Sequence, residues 1–259
     1  WAMNRVRFYQ SGRELDRQLA NAATSVYRMA IRKERTCMQE PTYNRLRELA
    51  FKSEKYGLGA EFKLPLLYEA HYRTWHDASA TASSDELATI ALGIAKELPE
   101  ADKPVEELDA ELVAAWRKGP VGYYTTSPEL IRPQLHRLLY QEVMFESIET
   151  DAAIDGRNGD EIAARLKKYL PEFKERAESY RQSALGWRVD HATELSREDV
   201  IALKQQLVAM GQATRGDQVI RRWFTPVEAR LRRKSPVGLI ELAFEYEELF
   251  DDDETAVAL

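Results

Sequence analysis

Between Glu14 and Glu40 the apolar residues Leu15, Leu19, Ala22, Val26 and Met29, joined by Ala30, return three and four positions apart, with charges between them. An α-helix turns once every 3.6 residues, so this spacing lines up one face of a helix, whereas a half-buried strand would need strict alternation. No other feature constrains the fold as strongly, because the same pattern recurs down the chain between proline and glycine breaks. Pro41 ends the first run, and Leu46, Leu49 and Ala50 start a second. Gly57 and Gly59 mark the next junction, after which Pro65 suits an early turn of a helix.

Serine, asparagine and proline then mark where further helices begin. Ser83 with Glu86, and Asn158 with Glu161, have the spacing of a capping box, in which each residue satisfies an orphan backbone amide. Ser196 with Asp199 resembles a cap, and Ser127-Pro128 and Ser235-Pro236 place serine at the cap and proline at the first helical position. Apolar faces follow these signals, for example Leu87, Ile90, Ala91 and Ile94, or Val200, Leu203 and Leu207. Pro171 is expected to kink or divide the helix that starts near Asn158.

The reading is a mainly α protein, an irregular multi-helix bundle of about eight to ten helices with little or no sheet. RVRFYQ and GYYTT are the only stretches that suggest short extended pieces. Residues 1–250 are expected to form a single helical domain or a helical fragment of a larger protein, with 251–259 as an acidic C-terminal tail.

Composition narrows the function classes. With 44% hydrophobic and 31% charged residues, the chain is not wholly disordered. The single cysteine, Cys37, rules out an internal disulfide framework and any multi-cysteine zinc site. No apolar run is long enough to span a bilayer and the opening WAMNRVRFYQ has no signal-peptide core, so an intracellular, cytoplasmic location without membrane insertion is expected. Zinc-protease, Walker-type phosphate-loop and nucleophile-elbow motifs are all absent from the sequence.

The stretch YEAHYRTWHDA, residues 68–78, holds two of the four histidines and raises the question of a metal site. His71 and His76 are five apart and diverge by about 140° on a helix, whereas Glu69 and His76, seven apart, share a face. Glu142 and Glu146, with Glu149, supply a second acidic face, and Asp190 and Glu194 a third. A bundle that gathered Glu69, His76, Glu142, Glu146, Asp190 and Glu194 could hold iron or manganese and run an oxidative or hydrolytic reaction. The Glu-x-x-His signature of ferritin-like dimetal bundles is missing, which leaves this enzyme as the alternative reading. No cofactor is required by the leading one.

The leading reading starts from VIRRWFTPVEARLRRKSP, where Arg221, Arg222, Arg230, Arg232, Arg233 and Lys234 accompany Trp223. Arginine forks hold phosphate or carboxylate oxygens and an indole can stack on an unpaired base. A second arginine group is spread through residues 5–35. A separate loop could bring Tyr123 and Tyr124 beside Arg132 and His136 as a small anion pocket. The functional expectation is a non-catalytic helical interaction module that binds a protein partner, with nucleic acid reachable through the arginine-rich surface.

Overall fold

A computed structural model describes every residue except 1, 105–108, 126–132, 152–155, 234–235 and 251–259, and the side chains of all described residues except 2–11, 123–125 and 236. The described residues form twelve α-helices, one short 3-10 turn and no strand, so the protein is mainly α. The helix count slightly exceeds the expected range, and one of the twelve, α6, covers a segment read as a loop.

In chain order the helices are α1 (Ala2–Thr36), α2 (Tyr43–Lys55), α3 (Ala60–Ala78), α4 (Ser84–Glu97), α5 (Ala110–Trp116), α6 (Pro120–Thr125) and α7 (Pro133–Thr150). There follow α8 (Gly159–Tyr169), α9 (Lys174–Asp190), the 3-10 turn Ala192–Glu194, α10 (Arg197–Ala209), α11 (Ala213–Leu231) and α12 (Pro236–Phe250). Residues 5–10 lie inside α1 and residues 122–125 inside α6, so neither forms the extended piece that its aromatic and β-branched residues suggested. Local propensity is a weak preference, and a helix already propagating through Val6, Phe8 and Tyr9 overrides it.

The capping signals act as read at two sites. Ser83 Oγ accepts from Glu86 N at 3.4 Å while the Glu86 carboxylate accepts from Ser83 N at 2.8 Å, closing both arms of the box at the start of α4. Ser196 Oγ accepts from Asp199 N at 3.1 Å and opens α10. Pro65 falls in the second turn of α3, because that helix starts at Ala60, and Pro171 lies between α8 and α9, dividing them. The Ser127-Pro128 signal, Ser235 and the acidic tail 251–259 lie outside the described residues.

The chain forms two compact units: residues 1–151 with 165–172, and 152–164 with 173–259. In the first, α2 packs along α3 and α4 along α7, closing over Leu46, Leu49, Leu67, Leu87, Ile94, Leu135, Leu139 and Ile148. Arg137, on α7, is its largest wholly buried side chain. Its guanidinium donates to the Glu172 carboxylate and to the Ala101 carbonyl, and Gln141 Nε2 donates to the same Glu172 oxygen at 2.7 Å. A buried charge needs such a partner, since an unpaired one costs several kcal/mol. The segment after α8 is thereby tied to the middle of α7.

In the second unit α10 and α11 pack together, and α12 covers them through Leu242, Leu249, Tyr246 and Phe250. Phe224 sits at the centre, with the Tyr246 and Phe250 rings edge-on at 5.1 and 5.3 Å. The start of α8 lies so close to α9 that a Cβ on Gly159 would stand 2.2 Å from the Tyr180 carbonyl oxygen and 2.9 Å from Ala184 Cβ. Gly159→Ala is therefore expected to destabilise the second unit by roughly 2–3 kcal/mol, since backbone must move to relieve it. Gly186→Ala, in mid-α9 with nothing within 4 Å of the added atom, should instead stabilise by up to about 1 kcal/mol. Urea unfolding of the two variants beside the wild type measures both.

Candidate functional site

Among the described side chains, the face of α1 that meets its own fold is short. Ile31 is buried, Tyr27 stacks on Tyr56 at 4.3 Å, Arg28 and Arg32 lie over the Phe62 ring, and Lys52 Nζ donates to Glu34 at 2.5 Å. Arg35, in the last turn, donates through both Nε and Nη2 to the Glu69 carboxylate on α3. Every residue from 12 to 23 is exposed.

At about 100° per residue, Leu15, Ala22, Val26 and Met29 lie roughly opposite Ile31, on the far side of the helix from these contacts, with Leu19 at the edge of the same stripe. Leu15 is 57% exposed, Leu19 61%, Val26 56% and Met29 63%. The face read from sequence as a packing face is real, but nothing in the described chain covers it. Isolated apolar residues on a surface are ordinary, whereas a continuous stripe of them marks an interaction site.

The residues proposed for a metal site are placed otherwise. Glu69 is wholly buried, and its carboxylate accepts from Arg35 and also from Arg73 Nε at 2.8 Å, so its charge is already matched by two guanidinium groups. His76 is exposed, with Nδ1 3.8 Å from the Asp77 carboxylate. Glu146 accepts from Trp75 Nε1 at 2.5 Å, and the Glu142 carboxyl is held above its usual range by desolvation and by Glu146 and Glu149. Asp190 and Glu194 are exposed residues of the second unit. Among the described residues no three His, Cys, Asp or Glu side chains gather as ligands for iron, manganese or another metal ion, which corrects the six-residue set. Helical spacing puts Glu69 and His76 on neighbouring ridges, but it says nothing about how deep each ridge lies.

The arginine surface also changes meaning. Trp223 Nε1 donates to the Leu195 carbonyl at 3.1 Å and its partly buried ring packs against the second core, so it anchors α11. Arg232 donates to Glu228 at 2.9 Å, and Arg221 lies over the Phe250 ring. Arg222, Arg230 and Arg233 are exposed; Lys234 lies outside the described residues.

His136 is wholly buried, with its ring 6.1 Å from that of Tyr68. Arg132 and the side chains of Tyr123 and Tyr124 lie outside the described residues.

Two arrangements escaped sequence reasoning. One is a polar cluster around the buried His71 in the first unit. His71 Nε2 is 3.1 Å from Glu97 Oε2, which also accepts from the Tyr43 hydroxyl at 3.3 Å, and Arg47 Nε donates to the other Glu97 oxygen at 2.5 Å. Gly93 makes room for the imidazole, since a Cβ there would stand 3.3 Å from His71 Cε1. The other is a shallow cleft of about 610 Å³ in the second unit, lined by Gly156, Arg157, Ser183, Gly186, Trp187, Asp190 and His191. There the His191 ring stacks on Trp187 at 4.5 Å and Arg157 lies over the same indole at 4.9 Å. The four-residue step from Trp187 to His191 was its one legible trace, since i and i+4 share a helix face.

No protein-family model, curated protein or solved structure matches the chain. Among the described residues no helix is long and apolar enough to cross a membrane.

Burial holds both His71 and His136 below the ordinary histidine range, against the opposing pull of Glu97 on the first, and His136 falls from 6.5 to about 4. A depressed imidazole is neutral when folded, so as pH drops through 6.5 the unfolded chain takes up a proton that the folded chain refuses. Stability present above pH 6.5 is expected to fall by about 3 kcal/mol between there and pH 4 on account of His136. Denaturant unfolding across that range should show a flatter profile for His136→Gln, which keeps a donor for the Pro99 carbonyl and loses the titration.

Proposed function

We propose that this chain is a non-catalytic helical interaction module whose contact with a protein partner runs along α1. The observation that carries this reading is the uncovered stripe Leu15, Leu19, Ala22, Val26 and Met29 on the side of α1 away from its anchored face. A single helix in water gains little from propensity alone, and amphipathic helices owe most of their stability to a covered apolar face. A partner laid along that stripe supplies the missing cover, in the manner of helix-in-groove or helix-on-helix recognition. The arginines support a second contact. Arg222, Arg230 and Arg233 are exposed on or just beyond α11, and such side chains suit an acidic partner or the phosphates of a nucleic acid in a larger assembly.

The test of the first reading is affinity capture with the full chain as bait, beside a Leu19→Asp/Met29→Asp variant whose helix content and unfolding midpoint are measured first. These positions are exposed, so the fold is expected to survive. Protein partners held by the wild type, an untagged second copy included, should be lost from the variant. Equal capture by both baits, or by neither, overturns the reading. For the second contact, Arg222→Gln/Arg230→Gln/Arg233→Gln should abolish any salt-sensitive binding of a single-stranded oligonucleotide in fluorescence anisotropy. Binding that ignores both salt and the substitutions counts against it.

A further inference from the structure

The stripe on α1 has two properties that narrow its partner. First, its spacing is heptad-like. Leu15, Ala22 and Met29 are seven apart, as are Leu19, Val26 and Lys33, so the two sets alternate four and three residues along one line. This is the seam of a two-helix coiled coil, in which each side chain fits between four of the facing helix. Second, the line is charged at its ends and neutral in its middle. Asp16 adjoins the N-terminal end, Lys33 lies in the C-terminal end, and Ala22, Ala23 and Ser25 occupy the centre.

Deepening the interaction reading of α1, and resting on it, we infer that the stripe takes a second copy of this chain, laid antiparallel. Reversing one helix sets Leu15 of each copy against Lys33 of the other, with Asp16 next to that ammonium group. It pairs Leu19 with Met29 and Ala22 with Val26, large against large towards the ends and small against medium at the centre, as antiparallel coils pair their two seam positions. A parallel pair would instead face Lys33 with Lys33 across the seam, a like-charge contact that complementary interfaces avoid. The same patch then serves both copies, so the contact closes on itself as a two-fold dimer.

Val237, Ile240 and Phe244 form another exposed apolar line, on α12. It is shorter, and it is interrupted and flanked by Glu241, Glu247 and Glu248, which would face Asp16 as readily as Lys33. It has no end-to-end complement to α1, and a contact between unlike faces leads to open chains or rings.

Sedimentation velocity of the full chain over the micromolar range tests the proposal. A dimer is expected, and Leu19→Asp should weaken it by roughly a hundredfold, because each copy loses a buried leucine. Lys33→Glu alone should weaken it, and adding Asp16→Lys should restore much of the loss at low salt. Orientation is read in a Cys37→Ser background, which removes the exposed native thiol. Chains carrying Leu19→Cys, mixed with chains carrying Met29→Cys, should oxidise to the mixed disulfide. Self-linked Leu19→Cys dimers mean a parallel pair, and linkage of Leu19→Cys to Phe244→Cys means docking on α12; either overturns the antiparallel assignment. A monomer whose stripe variant still loses another captured protein overturns the second copy and leaves the interaction reading standing. A monomer with capture unchanged overturns both.

Discussion

The Glu69 carboxylate is the constraint around which the first unit is arranged. It is wholly withdrawn from water, and a charge in that position requires compensation from groups that can reach it. Arg73 comes from the same helix one turn later, but Arg35 comes from the end of α1, and its two-pronged donation is the strongest polar tie between that helix and the rest. Because Arg35 sits in the last turn, the described side chains of α1 fasten it through its C-terminal part. The Phe62, Tyr56 and Glu34 contacts all fall within the same stretch, and residues 12–23 are exposed. The uncovered stripe is thus a consequence of where the anchoring charge lies, and the proposed role of α1 depends on that pair holding.

The remaining polar groups of the interior follow the same rule. Glu97 gathers Tyr43, Arg47 and His71, and Arg137 is matched by Glu172 and Gln141. These residues have the look of catalytic chemistry when met in sequence, since they are the types that act as acids, bases and ligands. Their surroundings give them another task. Hydrogen bonds to fixed neighbours hold helices in register, and the depressed histidines stay neutral at physiological pH. In the second unit aromatic residues do the corresponding work, with Phe224 and Trp223 locking α11 between α10 and α12.

Much of the helical plan was readable from residues 14–40, from the Ser83 and Ser196 caps and from Pro171, because those signals act within a turn or two of themselves. The site was far less readable. Glu69 and His76 share a helix face, yet one is buried between arginines and the other faces solvent. His136 was assigned to a surface pocket but is wholly buried, and Trp223 is half-buried against the second core. The partners that decide these cases, Arg35 for Glu69, Leu195 for Trp223 and Tyr68 for His136, lie tens of residues away, so no local period can register them. The Trp187–His191 cleft and the Glu97 cluster were missed for that reason.

By itself the sequence determined that the chain is built from helices, where several of them begin, and that α1 carries one continuous apolar line. Those properties depend on backbone geometry and on contacts three or four residues apart. Only the tertiary structure decided which apolar faces are covered, which charges are buried, and which aromatic rings serve as anchors. Such outcomes are set by desolvation, and desolvation depends on what packs from elsewhere in the chain. The same five residues from Leu15 to Met29 would read identically as core or as surface, and it is the placement of Arg35 on Glu69 that leaves them outside.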